Sequence, residues 1–276
     1  MKSRIDSRFA ELRALNRAAF IPFITAGDPD PETSLEILQH LPGAGADLIE
    51  LGIPFSDPMA DGPAIQASSL RALKSGMTLK TVLHLVERFR GHDDVTPLVL
   101  MGYYNPIHAY GAHNFLRDAG HAGVDGLIIV DLAPEEGAEL QAAANRNGID
   151  IIRLAAPTTT DERLKTVLKG ASGFLYYVSV TGVTGTKAIL IDNVAAAISR
   201  IRAKTRLPCA VGFGIRTPDQ AAAIARIADA AVVGSALVQC IAGAIGNDKR
   251  GGAARQTLQL CRSLADAVHH AREKSK

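Results

Sequence analysis

One pattern limits the fold of this chain more than any other. Eight short apolar runs, at 20–26, 47–53, 97–103, 125–130, 149–155, 173–178, 208–213 and 230–234, alternate with longer segments of helical spacing. Most are β-branched or leucine-rich and show no polar alternation. A strand wetted on one side would alternate with period two, so these runs read as parallel strands covered on both faces by helices and core. The intervening segments carry helix punctuation. Asp30-Pro31 precedes 34–41, and Pro42-Gly43 ends it. Thr78 opens a helix that runs to about Arg90, and 118–123 closes the next. Pro134-Glu135-Glu136 starts another, with Asn147-Gly148 as its end. Thr159-Thr160 starts the sixth, which stops at Gly170, and Asn193 and Thr217-Pro218 begin two more. Side-chain oxygens in these positions take up the free amides of a first turn. Ile5, Phe9, Leu12 and Leu15 predict a short amphipathic helix ahead of the first strand.

Eight βα units in a chain of 276 residues match a closed (β/α)8 TIM barrel. An open doubly wound sheet would carry a glycine-rich turn after its first strand, whereas Thr25-Ala26-Gly27-Asp28-Pro29 has one glycine. Nothing linker-like divides the chain, so residues 1–276 read as a single barrel domain with an extra N-terminal helix. Long loops are expected after strands two and six, the second of them at 179–191 and rich in Gly and Thr. Both follow strands, on the side of a barrel where lids and binding loops gather.

Composition removes several function classes. A net charge of +2 gives no drive toward nucleic acid or an anionic membrane. Aromatics at 5% with no Trp give no base-stacking platform. Cys209, Cys240 and Cys261 match no metal template, and their apolar or helical settings suit reduced thiols in the cytoplasm. The first ten residues hold no apolar signal core. The uncharged stretch 230–247 is interrupted by Gly234, Ser235 and Gln239, and reads as a strand entering a helix rather than a membrane span.

Two carboxylates stand out near the second strand. Glu50 sits inside an apolar run, where a charge costs several kcal/mol, roughly, unless it is paired or employed. It is either a mouth residue bonded to a neighbour or a proton-transfer group whose apolar surroundings raise its pKa. Asp61 precedes Gly62-Pro63 and a helical run, so helix capping competes with a functional role. Gly212-Phe213-Gly214-Ile215-Arg216 follows strand seven, and Val233-Gly234-Ser235 follows strand eight. Glycines let a ligand approach the backbone, and the helix opening at Ser235 offers free amides to an anion. Loops seven and eight form the usual phosphate site of such barrels. Lys187 and Arg216 read either as phosphate contacts or as solvated loop charges. The eight histidines form no metal-spaced pair.

Long stretches of the chain resemble the tryptophan synthase alpha subunit family. They are 20–29 (Phe-Ile-Pro-Phe-Ile-Thr-Ala-Gly-Asp-Pro), 49–63 (Ile-Glu-Leu-Gly-Ile-Pro-Phe-Ser-Asp-Pro-Met-Ala-Asp-Gly-Pro) and 101–106 (Met-Gly-Tyr-Tyr-Asn-Pro). The likeness continues through 125–132, 182–185 and 212–215 and covers nearly the whole chain. It implies a barrel that splits indole-3-glycerol phosphate into indole and glyceraldehyde 3-phosphate. It implies Glu50 as general acid and base and Asp61 as second catalytic carboxylate. Phe23, Ile65, Tyr103, Tyr176, Thr184 and Phe213 would surround the substrate, and Gly185, Gly214, Gly234 and Ser235 would bind its phosphate. It further implies no cofactor and no metal on this chain, and a beta subunit partner carrying pyridoxal phosphate in an α2β2 assembly. Met59 stands where leucine is more usual, and Ala133 where some relatives have proline near the subunit contact. Two alternatives stay open on sequence: a stand-alone lyase releasing free indole, and a silent barrel that binds phosphorylated ligands.

Overall fold

The apolar runs form strands, and the sheet they build closes on itself. A computed structural model describes residues 3–179, 191–212, 214–245 and 252–273. α1 (Arg4–Ala14) leads into β1 (Ala19–Thr25) and α2 (Pro31–His40). β2 (Ile49–Gly52) is followed by α3 (Pro63–Lys74) and α4 (Leu79–Arg90). β3 (Leu98–Gly102) is followed by α5 (Tyr104–Tyr110) and α6 (Ala112–Ala122). Next come β4 (Gly126–Ile129), α7 (Ala138–Arg146), β5 (Asp150–Ile151), β6 (Arg153–Ala155) and α8 (Asp161–Leu168). β7 (Leu175–Val178), α9 (Ile191–Arg202), β8 (Cys209–Gly212) and α10 (Pro218–Ile227) follow. β9 (Ala230–Val233), α11 (Ser235–Ala244) and α12 (Gly252–His269) complete the described chain.

The strands pair in parallel in the order β5-β4-β3-β2-β1-β9-β8-β7-β6. β5 and β6, at the two ends of that order, are one run interrupted at Ile152 alone. Its first half pairs with β4 and its second half with β7, so one strand changes neighbours and the barrel closes. The eight expected runs are therefore all strands, with the fifth in two pieces.

Alternation along each strand sorts side chains into two cores. One face of the strands packs against the helices, with Phe20, Ile24, Ile49, Leu51, Leu98 and Leu100 among its fully buried members. The other fills the barrel with Ala19, Ile21, Leu48, Val99, Ile128, Ile152, Phe174 and Tyr176. α1 plugs the bottom of this interior with Ile5, Phe9 and Leu12. Glu50 lies two residues beyond Leu48, so it shares the interior face.

Several helix starts follow the expected chemistry. Asp30 caps α2 through the Thr33 amide, Thr160 caps α8, and Thr78 and Thr217 form reciprocal capping boxes on α4 and α10. Three details differ. Leu15 lies past the end of α1 and is 63% exposed, because the helix has run out before its register brings it to the barrel. α7 begins after Gly137 rather than at Pro134, since 133–137 is spent on turns closed by Glu136 N–H to Ala133 O and Gly137 N–H to Pro134 O. Asn193 falls within the first turn of α9. The helical run expected after Gly62-Pro63 is α3, which shares the wide gap after the second strand with the loop before it. The long loop expected after the sixth run lies almost wholly outside the described residues. Stretch 230–247 begins as β9 and α11, and no described helix is long and apolar enough to cross a membrane.

Candidate active site

Glu50 faces the barrel interior between Phe23 of β1 and Val99 of β3. It is 2% exposed, and its Oε1 has no hydrogen-bond partner among the described residues. Burial, and secondarily the charge of Asp61, pushes its carboxyl up to about 8. Tyr176 stands in the same interior, and burial followed by the charge of Glu50 drives its hydroxyl well above the usual tyrosine value. The ring has room because residue 212 is glycine: a Cβ there would overlap the Tyr176 hydroxyl.

Asp61 closes the loop between β2 and α3. Helix capping does not account for it. The cap residue of α3 is Gly62, with no side-chain capping bond among the described residues. The Asp61 carbonyl accepts from Gln66 Nε2 at 2.8 Å, which leaves its carboxylate to the pocket. Burial raises that carboxyl to about 6, opposed by a hydrogen bond from the Tyr103 hydroxyl. The same hydroxyl accepts the Ala60 amide at 3.0 Å, and the Tyr103 ring stacks at 5.4 Å on Phe55. One tyrosine thus fixes both ends of the short segment that presents Asp61. Phe23, Asp61, Ile65 and Tyr103 line one pocket, together with Met101 and Val130.

The opposite end is built from backbone. β8 and β9 are neighbours, so Gly214 and the start of α11 lie on one rim. Gly214 has φ +82°, Gly234 is the cap residue of α11, and Ser235 is its first residue. No side chain among the described residues caps that helix, and its leading amides are available to an anion. Phe23 links the two ends: Cβ atoms added at Gly52 and Gly234 would meet its ring at 2.6 and 3.2 Å. Thr184, Gly185, Lys187 and Phe213 lie outside the described residues. The Arg216 amide donates to Gln220 Oε1, part of the capping of α10.

Sequence reasoning missed the ties that hold α3. Thr25 and Ser68 share a buried hydrogen bond of 2.6 Å. The buried Asp28 carboxylate accepts two bonds from Arg71, at 2.6 and 2.9 Å. Asp28 reads as a turn residue, and its partner is 43 positions away. A polar residue beside a buried strand end was the available signal. Met101 and Val130 were also missed as lining, although their interior parity was legible.

A parallel barrel with a buried carboxyl on the second strand, a half-buried one in the loop after it, and uncapped helix amides across the mouth fits one class: barrel enzymes acting on small phosphorylated substrates. The family model described as tryptophan synthase alpha chain matches residues 9–269. Tryptophan synthase subunit alpha from Legionella pneumophila is similar at 40% identity and a TM-score of 0.90, covering 97% of this chain and 99% of that one. The structure of tryptophan synthase from M. tuberculosis in its aminoacrylate-bound form matches at 34% identity and a TM-score of 0.86, covering 97% and 100%. The chain belongs to the tryptophan synthase alpha chain family. It is a lyase of tryptophan biosynthesis that cleaves indole-3-glycerol phosphate. It needs no cofactor of its own and acts with a beta subunit, which holds the pyridoxal phosphate.

Proposed function

We propose that Glu50 and Asp61 divide the cleavage of indole-3-glycerol phosphate between them. Breaking the bond at indole C3 requires that carbon to be protonated first. Glu50 gives its proton to C3, and positive charge spreads to the ring nitrogen. The Asp61 carboxylate accepts a hydrogen bond from that N–H and stabilises the charge. Glu50, now ionised, takes the proton of the C3′ hydroxyl. The C3–C3′ electron pair returns to the ring, and indole and glyceraldehyde 3-phosphate separate. Glu50 ends protonated, ready for the next cycle.

The observation that carries this reading is the ordering of the two acids. With Glu50 at about 8 and Asp61 at about 6, the pair at pH 7 holds its proton on Glu50 and its charge on Asp61. That is the state the first step requires. Phe23, Ile65, Tyr103 and Tyr176 enclose the indole and glycerol carbons in this reading, with Thr184 and Phe213. Gly214, Gly234 and Ser235, with Gly185, take the phosphate through backbone amides and orient the substrate from far off. The working form is an α2β2 complex, in the cytoplasm, with residues 1–276 as one domain; the three thiols, free among the described residues, support that location. The family match gives no support to a stand-alone lyase.

The test is the pH dependence of kcat/KM. Activity falls below about 6 as Asp61 takes a proton, and above about 8 as Glu50 loses one. Asp61→Asn removes the acid limb along with most of the activity. A profile flat from pH 5 to 9, as roughly bounded by these two groups, contradicts the assignment.

A further inference from the structure

Beside the catalytic pocket, with which it shares Val130, a groove of about 310 Å³ opens at the barrel mouth between the 129–134 segment and α8. We infer that this groove is a second ligand site, taking a small oxyanion, either a carboxylate or a phosphate, on Arg153.

Arg153 is an arginine on a barrel strand and is only 6% exposed. Its side chain lines the groove. Its Nε has no hydrogen-bond partner among the described residues, and its Nη1 reaches the Leu132 carbonyl only at 3.4 Å. The carboxylate that acts on it electrostatically, Glu135, is taken in an ion pair by Arg163. A guanidinium keeps its charge at any physiological pH, so this one is buried without a matched anion. Three further features favour a negative guest. Arg163 lines the groove too and has more N–H groups than its one pair uses. Thr159 accepts the Ala156 amide at 2.9 Å, which leaves its hydroxyl hydrogen to donate. α7 starts after Gly137 with no side-chain cap among the described residues, and a Cβ at Gly137 would lie 2.8 Å from Arg153 Nη2. The uncapped helix end and the guanidinium therefore add their fields. Asp131 on the same wall accepts the Tyr104 amide and counters part of this charge, which selects a small guest over a polyanion. A carboxylate matches the fork of a guanidinium with two parallel bonds, and a phosphate oxygen pair does the same.

The test is a two-dimensional NMR titration of the full chain with sodium acetate and, separately, inorganic phosphate, at constant ionic strength set with chloride. The inference expects saturable shifts of the Gly137 and Thr159 amides and of the Arg153 Nε–H. Saturation with acetate alone assigns a carboxylate site, and with phosphate alone a phosphate site. Phosphate entering the catalytic pocket is read separately at Gly234 and Ser235. Arg153→Met abolishes the groove response. Arg163→Gln, at an exposed position of α8, and Thr159→Val, which gives up the half-buried hydroxyl, weaken it about fivefold each. Shifts confined to Gly234 and Ser235, or a groove response unchanged in Thr159→Val and Arg163→Gln, overturn the inference.

Discussion

A buried, unpartnered carboxyl is costly to a fold, and in the proposed mechanism that cost at Glu50 serves the chemistry. Its pKa is raised from 4.5 to about 8 by burial and by Asp61. Below pH 4.5 the folded and unfolded chains both hold the proton, and nothing is lost. As pH rises toward 8 the unfolded chain ionises while the folded one does not, and stability falls through that window. At pH 7 the loss is about 3 kcal/mol. Glu50→Gln, which does not titrate, is therefore expected to be more stable than the parent at pH 8, with the gain fading toward pH 5. Urea unfolding at the two pH values measures it. A variant less stable at both would mean that Glu50 is a structural hydrogen-bonding group. The position of Glu50 was legible from the sequence because a charge interrupts an apolar run. The residues around Asp61 left its role open, because they also read as a cap; the family resemblance pointed to catalysis, and the folded helix has Gly62 in the cap place.

At the scale of elements, α3 carries the loop of Asp61 and is tied to β1 by Thr25–Ser68 and Asp28–Arg71. Removing the arginine leaves the Asp28 carboxylate buried and unpaired. Arg71→Met is expected to cost about 3 kcal/mol in chemical denaturation and to lower kcat more than it raises KM, because the Asp61 loop loses its anchor. Loss of stability with unchanged kcat would limit the tie to folding. These bonds mark the boundary of what the chain order reveals. Strand runs, the capping residues Asp30, Thr78, Thr160 and Thr217, and the interior parity of Phe23 and Tyr176 are local patterns, and each appears in the sequence. The split at Ile152 arises because one strand serves two neighbours. The late start of α7 arises because turns occupy 133–137, next to Arg153. Both depend on what packs alongside, which local spacing does not contain.

At the scale of the whole molecule, β1 lies between β2, which carries Glu50, and β9, which leads to the proposed phosphate end, and Phe23 lies against Gly52 and Gly234 on the two sides. A partner that moves the loop of Asp61 therefore acts on a pocket whose other wall is fixed by β9 and α11. Phe55 stacks on Tyr103, which bonds to Asp61, and exposed Met59 lies in the same loop. Phe55→Ala is expected to reduce the gain in cleavage rate on adding a beta subunit about fivefold, with a smaller effect on the chain alone. Equal loss in both would confine Phe55 to local packing. The central claim is that one buried carboxyl both gives and takes the proton of carbon–carbon cleavage. Its most direct test is single-turnover cleavage of indole-3-glycerol phosphate by Glu50→Gln, with substrate binding measured on the same protein. The account predicts binding within a few-fold of the parent and a cleavage rate lower by about a thousandfold or more. Retention of even a tenth of the parent rate, roughly, would contradict it.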